Sequence, residues 1–366
     1  MPVTARSGRV RPARLTDLAA VGELSRLSHP PHTEVHGGNG GSGSDPSEQH
    51  ERPMRSLGLP VTATHVSVFS LFRMPLGAFQ PHDQLYVYEE GGHLAGLARV
   101  ERDPQRDEWT VVELDAVDHG DAGDIRYRLV QHLLRDGSRR GASRFHVACS
   151  DAGGNVELFM QAGFARYGEE AILFREAEAR FPALSDVDRR RIRPVTPIDS
   201  VELSSLYAAV TPAPVARLEG YRLPDWEHMG GRSGVPRTSL TPLLRFADVE
   251  AFLQERDPAD GEGLAALLQI GVAKEQQPHY MRILTLPDHD PTDLIRFGLA
   301  IIGERSGAAR RGQHGHEHGV MSCVRTYEAP LDGRLADDGF EQVARVTLLM
   351  KEALVRVAEP SMVPAI

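Results

Sequence analysis

The sequence predicts an α+β (α/β-like) protein built of two tandem domains, and three observations carry that prediction. The first is a repeat. Val10-Arg11-Pro12, followed by Asp17 and the apolar spacing Leu18, Val21, Leu24 and Leu27, returns 182 positions later (192 − 10) as Ile192-Arg193-Pro194, followed by Asp199 and then Val201, Leu203 and Leu206. The second is a matching close: a helix-like stretch running from Leu158 to Gly163-Phe164 is echoed 176 positions on (339 − 163) from Leu335 to Gly339-Phe340. A near-constant offset at both ends of a long segment means two copies of one unit. The third is size, since 366 residues exceed one ordinary core and 41% hydrophobic content suffices for two.

The first domain is expected over 1–180 and the second over 187–366, with a linker near Asp186 because no apolar periodicity crosses the stretch from Phe181-Pro182 to Arg191. Within the first, residues 29–52 hold HGGNGGSG among several prolines, a composition that buries too little side chain to offset ordering and reads as a disordered loop. Residues 84–88 and 94–100 read as two strands of a hairpin, joined by Glu89-Glu90-Gly91-Gly92, where glycine tolerates positive φ. Residues 108–117, EWTVVELDAV, are a third β-prone run. Ile125, Leu129 and Leu133 at i, i+4 and i+8, with Val130 and Leu134 beside them, make an amphipathic helix over 125–134, with Asp124 as its N-cap. A strand over 144–149, a short helix over 156–161 and a last strand around Leu173-Phe174 complete the unit.

Fifty-one acidic against 41 basic residues give a formal charge of −10, which argues against a nucleic-acid surface. The start of the chain has basic residues without an apolar h-region, and no apolar run approaches a membrane span, so a cytoplasmic protein without membrane association is expected. Cys149 and Cys323 each fall in a strand-like run shortly before a Gly-Phe pair, which places them as buried equivalents in separate domains and not as a disulfide.

The element order, and the segments VRPARLTDL, EWTVVELDAV, FHVACSDAGGNVELFMQAGF and ARYGEEAILFRE, resemble the GNAT N-acetyltransferase superfamily. The second half resembles it through IRPVTPIDSVELSSLY and MSCVRTYEAPLDGRLADDGFEQVARVTLLMK, so the likeness covers most of both halves. It implies two GNAT-fold domains, each a mixed, mainly antiparallel, splayed sheet flanked by helices. It also implies an acyl-CoA-dependent N-acyltransferase, with acetyl-CoA as cosubstrate and a small-molecule amine as acceptor. In such a fold the splayed strands hold the pantetheine arm, and amides at the next helix N-terminus hold the pyrophosphate. The corresponding cofactor-binding residues here are Ala116, Val117, Gly120, Gly123, Asp124 and Ile125.

That stretch departs from the family pattern. Gly123 stands for the first glycine, but Gly120 replaces a basic or amide residue and Ile125 a small one, while Asp118, Asp121 and Asp124 bring negative charge toward a negative ligand. In the second half the same place reads Pro287-Asp288-His289-Asp290-Pro291, with no glycine and two residues lacking an amide hydrogen. Activity is therefore expected in the first domain. The resemblance assigns the general base to Glu113, on the strand before the loop, while the place of the usual acid, a tyrosine, holds Phe159 and Leu335. Tyr127 and Tyr167 are substitute acids. A non-catalytic small-molecule or partner-binding module stays open as the alternative. His314, His316 and His318, in GQHGHEHG, read as a solvated loop without a metal site, and so do His29, His32 and His36. Gly230-Gly231-Arg232-Ser233-Gly234 reads as a mobile loop.

Overall fold

The fold is that of a computed structural model, which describes residues 8–21, 24, 83–103, 106–117, 122–151, 154–176, 181–227, 235–242, 244, 246–259, 261–273, 277–310, 319–328 and 330–353. The first half runs β1 (Arg9–Pro12), β2 (Asp83–Glu90), β3 (His93–Asp103), β4 (Glu108–Ala116), helix α1 (Ala122–Arg139), β5 (Arg144–Cys149), helix α2 (Asn155–Gln161) and β6 (Ala165–Arg175). The second runs β7 (Ile192–Pro194), helices α3 (Ser200–Val210), α4 (Ala213–Glu219) and α5 (Leu223–Glu227), then β8 (Phe246–Glu255), β9 (Leu264–Ala273), β10 (His279–Thr285), α6 (Thr292–Arg310), β11 (Val320–Arg325), α7 (Pro330–Asp337) and β12 (Glu341–Glu352).

Local chemistry explains most of these elements. The β2–β3 hairpin turns on Gly91 and Gly92, at φ 57° and 84°. Helix α1 buries Ile125, Leu129, Val130, Leu133 and Leu134 against one face of the sheet, alongside Trp109, Val111 and Phe145. It begins at Ala122, earlier than its apolar periodicity indicates, so Asp124 lies in the first turn, where a carboxylate suits the helix dipole. Strand β6 is far longer than the two residues legible in sequence, because its first five, ARYGE, show no alternating pattern. Helix α6 packs Leu294, Ile295, Phe297 and Ile302 in the corresponding place of the second half. Phe181, Leu184 and Val187, in the segment expected as a linker, pack on that second core.

The repeated Arg-Pro…Asp motif is a clamp built twice. Arg11 donates to Asp17 from Nη1 (2.6 Å) and Nη2 (3.0 Å) and to Glu89 from Nε (2.7 Å). Arg193 donates to Asp199 from Nη1 (2.9 Å) and Nη2 (2.8 Å) and to Glu255 from Nε (2.8 Å). Each aspartate also accepts a backbone amide, from Arg14 and Thr196 respectively, which fixes the entry into the first helix of its half.

Among the described residues, twelve strands form one sheet in the order β1-β2-β3-β4-β5-β12-β6-β11-β10-β9-β8-β7. The last strand of each half has crossed to the other: β12 pairs with β5, and β6 with β11. The exchange is reciprocal in detail. Lys351 on β12 donates to the Ala162 carbonyl at the end of α2 (2.5 Å), and Arg175 on β6 donates to the Asp338 carbonyl at the end of α7 (2.9 Å). Both pairs are related by the offset already seen in sequence, 176 positions (351 − 175, 338 − 162). Gly163 and Gly339, at φ 88° and 87°, close those two helices. Cys149 and Cys323 are both buried free thiols. No helix among the described residues is long and apolar enough to cross a membrane.

Candidate active site

The first half opens its sheet between β4 and β5. These strands pair in parallel from Glu108↔Arg144 to Val111↔Val147 and then part. A β-bulge coincides with the parting: Val111 faces Val100 and Glu113 faces Arg99 on β3, which leaves Val112 as the extra residue. Beyond it, residues 112–116 hold β3 on one edge while the pairing with β5 has ended, so the opposite main-chain edge faces a cleft.

The expected cofactor-binding residues surround this cleft unevenly. Ala116 ends β4 opposite Gly96, and the amide of Val117 is taken by the Ala95 carbonyl at 3.0 Å. Gly123 stands in the first turn of α1 with open space where a Cβ would be. Asp124 is exposed and pairs with Arg128 at 2.8 Å. Ile125 turns its side chain into the core, where its Cγ2 would meet any Cβ placed on Gly96. What Ile125 offers a ligand is therefore its main chain. Gly120, with Asp118 and Asp121, lies outside the described residues, as do the three histidine-bearing and glycine-rich stretches at 29–52, 228–234 and 311–318.

Glu113 is fully buried on the face away from α1, with Arg99 Nε at 3.8 Å. Its neighbour on that face, Asp115, has its carboxyl pushed well above the usual range by burial and by the Glu113 charge, with Arg126 opposing. Two carboxyl groups so placed are suited to holding a proton. Of the two substitute acids, Tyr167 reaches the cleft and Tyr127 does not, lying instead on the far side of α1 beside Tyr88 and His132. Burial raises the Tyr167 phenol, which keeps it protonated. Phe159 is buried edge-on against Phe164.

At the root of the cleft lies a cavity of about 60 Å³, room for a few waters or the end of a ligand. Its walls come from both halves: Glu108, Thr110, Val112, His146 and Ala148 from β4 and β5, and Glu219, Tyr221, Arg237, Ser239 and Arg325 from the second repeat. A charge network holds them. Arg106 clasps Glu108 with Nε at 3.1 Å and Nη2 at 3.0 Å, reaches Asp225 at 2.8 Å and stacks 4.5 Å from the ring of Tyr221. Arg237 spans Glu101 (2.8 Å) and Asp103 (3.1 Å), and Arg325 faces Glu170 (2.8 Å) directly across the β6–β11 pair. His146 is held neutral: burial, with Arg237, Arg106 and Arg144 adding to it, lowers its pKa to about 4, against the pull of Glu108 at 3.6 Å. Sequence reasoning missed these groups. The signal was present in the alternation of Arg144 and His146 with Phe145 and Val147, two polar side chains on one face of a strand that is buried.

The second half parts its strands at the corresponding point and fills the gap. The parallel pairing of β10 with β11 ends at Met281↔Ser322, and β10 runs beside β9 without a bulge. The next residue, Arg282, is fully buried and donates across the gap to the Cys323 carbonyl (3.1 Å) and in two bonds to Glu328 (2.6 and 2.9 Å). Glu328 also accepts the Arg325 amide at 2.9 Å. At the following helix start, Asp290 takes both the amide (3.2 Å) and the hydroxyl (2.7 Å) of Thr292. In this repeat a buried side chain occupies the parting, and the Thr292 amide at the helix start is already bonded within the chain.

No family model matches the chain, and no curated protein matches it in sequence. Solved structures do resemble it. A GCN5-related N-acetyltransferase from Sphaerobacter thermophilus aligns over 94% of this chain and 95% of its own, at 10% identity and a TM-score of 0.50. A tandem GNAT protein from the clavulanic acid biosynthesis pathway, solved without acetyl-CoA, aligns over 94% of this chain and 98% of its own, at 15% identity and a TM-score of 0.49. At such identities the likeness speaks for the fold alone. The duplicated strand order, the bulged and splayed β4–β5 pair and the helix that follows it agree with that likeness: this chain carries the GNAT fold twice in tandem.

Proposed function

We propose that this protein is an acyl-CoA-dependent N-acyltransferase that transfers an acetyl group to a small amine, with its active site in the first repeat. The observation that carries the reading is the contrast between an open, bulged cleft in the first repeat and one filled by Arg282 and Glu328 in the second. The free edge of β4 up to Ala116 and Val117, and the amides of Gly123, Asp124 and Ile125 at the start of α1, with Gly120 shortly before them in sequence, would hold the cosubstrate. Gly123 fits that task, since nothing crowds its Cα. Acetyl-CoA, when bound, supplies the thioester whose acyl carbon the amine attacks. Glu113, next to the cavity-lining Val112, takes the amine proton, and Tyr167, protonated within the cavity wall, supplies one to the departing sulfur. The second repeat shapes the acceptor side through Glu219, Tyr221, Arg237 and Arg325.

The test is thiol release from acetyl-CoA by the full chain across a panel of small amines. Turnover is expected, falling by roughly 10²–10⁴ in Glu113→Gln. Binding of small molecules with no turnover on any amine would favour a non-catalytic binding module, which the sequence run holding Asp118, Asp121 and Asp124 also suits.

A further inference from the structure

Two polar atoms lining the cavity, one from each repeat, have no hydrogen-bond partner among the described residues: Nη1 of Arg325 on β11 and Nε2 of His146 on β5. Both atoms are buried, although the His146 side chain as a whole is 18% exposed. Arg325 is 4% exposed and is pinned by Nε to Glu170 (2.8 Å) and by Nη2 to Glu219 (3.0 Å) and the Arg237 carbonyl (2.9 Å). His146 lies 3.6 Å from Glu108, beyond hydrogen-bond reach. Buried polar atoms are normally satisfied, so two orphans facing one cavity mark the place of a bound molecule. Between the charged groups the wall has apolar stretches, with Val112, Val147, Ala148, Pro242 and Leu348.

Charge decides what kind of molecule fits. Arg325 already faces two carboxylates, Glu170 and Glu219; Arg237 faces Glu101 and Asp103; Glu108 faces Arg106 and Arg144, and Arg106 faces Asp225 as well. Carboxylates therefore outnumber guanidinium groups, and a further anion would be repelled at the very N–H that invites an oxygen. An uncharged oxygen meets no such penalty, and an amine finds a favourable field. The geometry points to an acceptor subsite for a compact amino amide, an amine carrying a neutral carbonyl, with the carbonyl oxygen on Arg325 Nη1 and the amine N–H on His146 Nε2. This rests on the acyltransferase reading and adds its substrate class: an amino amide in preference to the corresponding amino acid or simple alkylamine.

Calorimetry on the full chain with alaninamide, alanine and propylamine, each with and without saturating CoA, tests it. Alaninamide should bind saturably, and at least tenfold more tightly than the other two. Ala148→Phe, which fills the cavity without touching its charges, should abolish binding. His146→Phe should weaken it at least tenfold, and His146→Gln, which restores a polar side-chain end, less. Urea unfolding confirms that each variant is folded. Equal affinities for the three amines, no alaninamide binding under either condition, or binding indifferent to Ala148→Phe overturns the subsite, the cavity then holding water. Acetyl-CoA binding alongside any of those results leaves the acyltransferase reading standing. Alaninamide binding in a chain that takes no acetyl-CoA overturns both that reading and the role of the cavity as an acceptor site.

Discussion

The two repeats part their central parallel strands at matching places, and what stands just beyond the parting separates them. In the first it is Val112, bulged out beside a cavity; in the second it is Arg282, laced to the facing strand and to Glu328. Three features that frame the two clefts are alike: the Arg–Asp clamps, the glycines closing α2 and α7, and the basic side chain that each terminal strand lends to the other repeat. The frame, in other words, answers to folding and the cleft to function. A polar plug is compatible with the fold when every member is paired, and an open cleft is compatible with it when a ligand supplies what the chain does not.

The largest effect expected from this contrast concerns the plug. Glu328→Ala leaves a buried guanidinium without its carboxylate and should destabilise the chain by about 3–5 kcal/mol, whereas the double change Arg282→Met with Glu328→Leu should recover most of that loss. Urea unfolding midpoints read both. A single-variant loss under about 1 kcal/mol would mean that the pair does not hold the second cleft shut.

His146 probes the first cleft in the same way. Its folded pKa of about 4 lies below the ordinary 6.5, so the unfolded chain binds more protons between these values, and stability present above pH 6.5 is lost as pH falls toward 4. Replacing it with Phe should remove roughly 2–3 kcal/mol of that acid-linked loss. Stability profiles of equal slope in the two proteins over pH 4–6.5 would contradict a buried neutral imidazole.

The frame should respond equally in both halves. Gly163→Ala and Gly339→Ala each force a Cβ into the left-handed region and should cost about 1–2 kcal/mol apiece, with values agreeing to within about half of that. Smaller still, Asp17→Ala and Asp199→Ala should each cost about 1 kcal/mol, as loss of a partly exposed clamp and a capping carboxylate. Both carboxyls are lowered from 3.8 to about 2, chiefly by the arginine hydrogen bonds, so this contribution is present above pH 3.8 and fades as pH falls through 2. Clearly unequal losses would show that the clamps are not equivalents.

Much of this fold is legible in the amino-acid sequence. The repeat offsets, the β2–β3 hairpin and helix α1 follow from local pattern, and local pattern is what glycine turns and i, i+4 spacing record. The strand exchange is not legible there, because sequence marks strand character around Leu173-Phe174 and Cys323 without saying which repeat's strand each will meet. The cavity is hidden for the same reason: Glu108, His146, Glu219 and Arg325 converge from four distant segments. Sequence does not show that Glu113 is buried; the structure does, beside Arg99. Ile125 reads as an obstacle in a phosphate loop because its register places it there; its helical phase turns it into the core.

Whether one working cleft stands beside one closed by its own side chains is decided most directly by titrating acetyl-CoA into the full chain in a calorimeter. One molecule should bind per chain, lost when Val112→Arg brings the second cleft's device into the first, and kept when Arg282→Met and Glu328→Leu remove it from the second. Two molecules per chain, no binding at all, or a single molecule that survives Val112→Arg in a folded protein would contradict that division of labour.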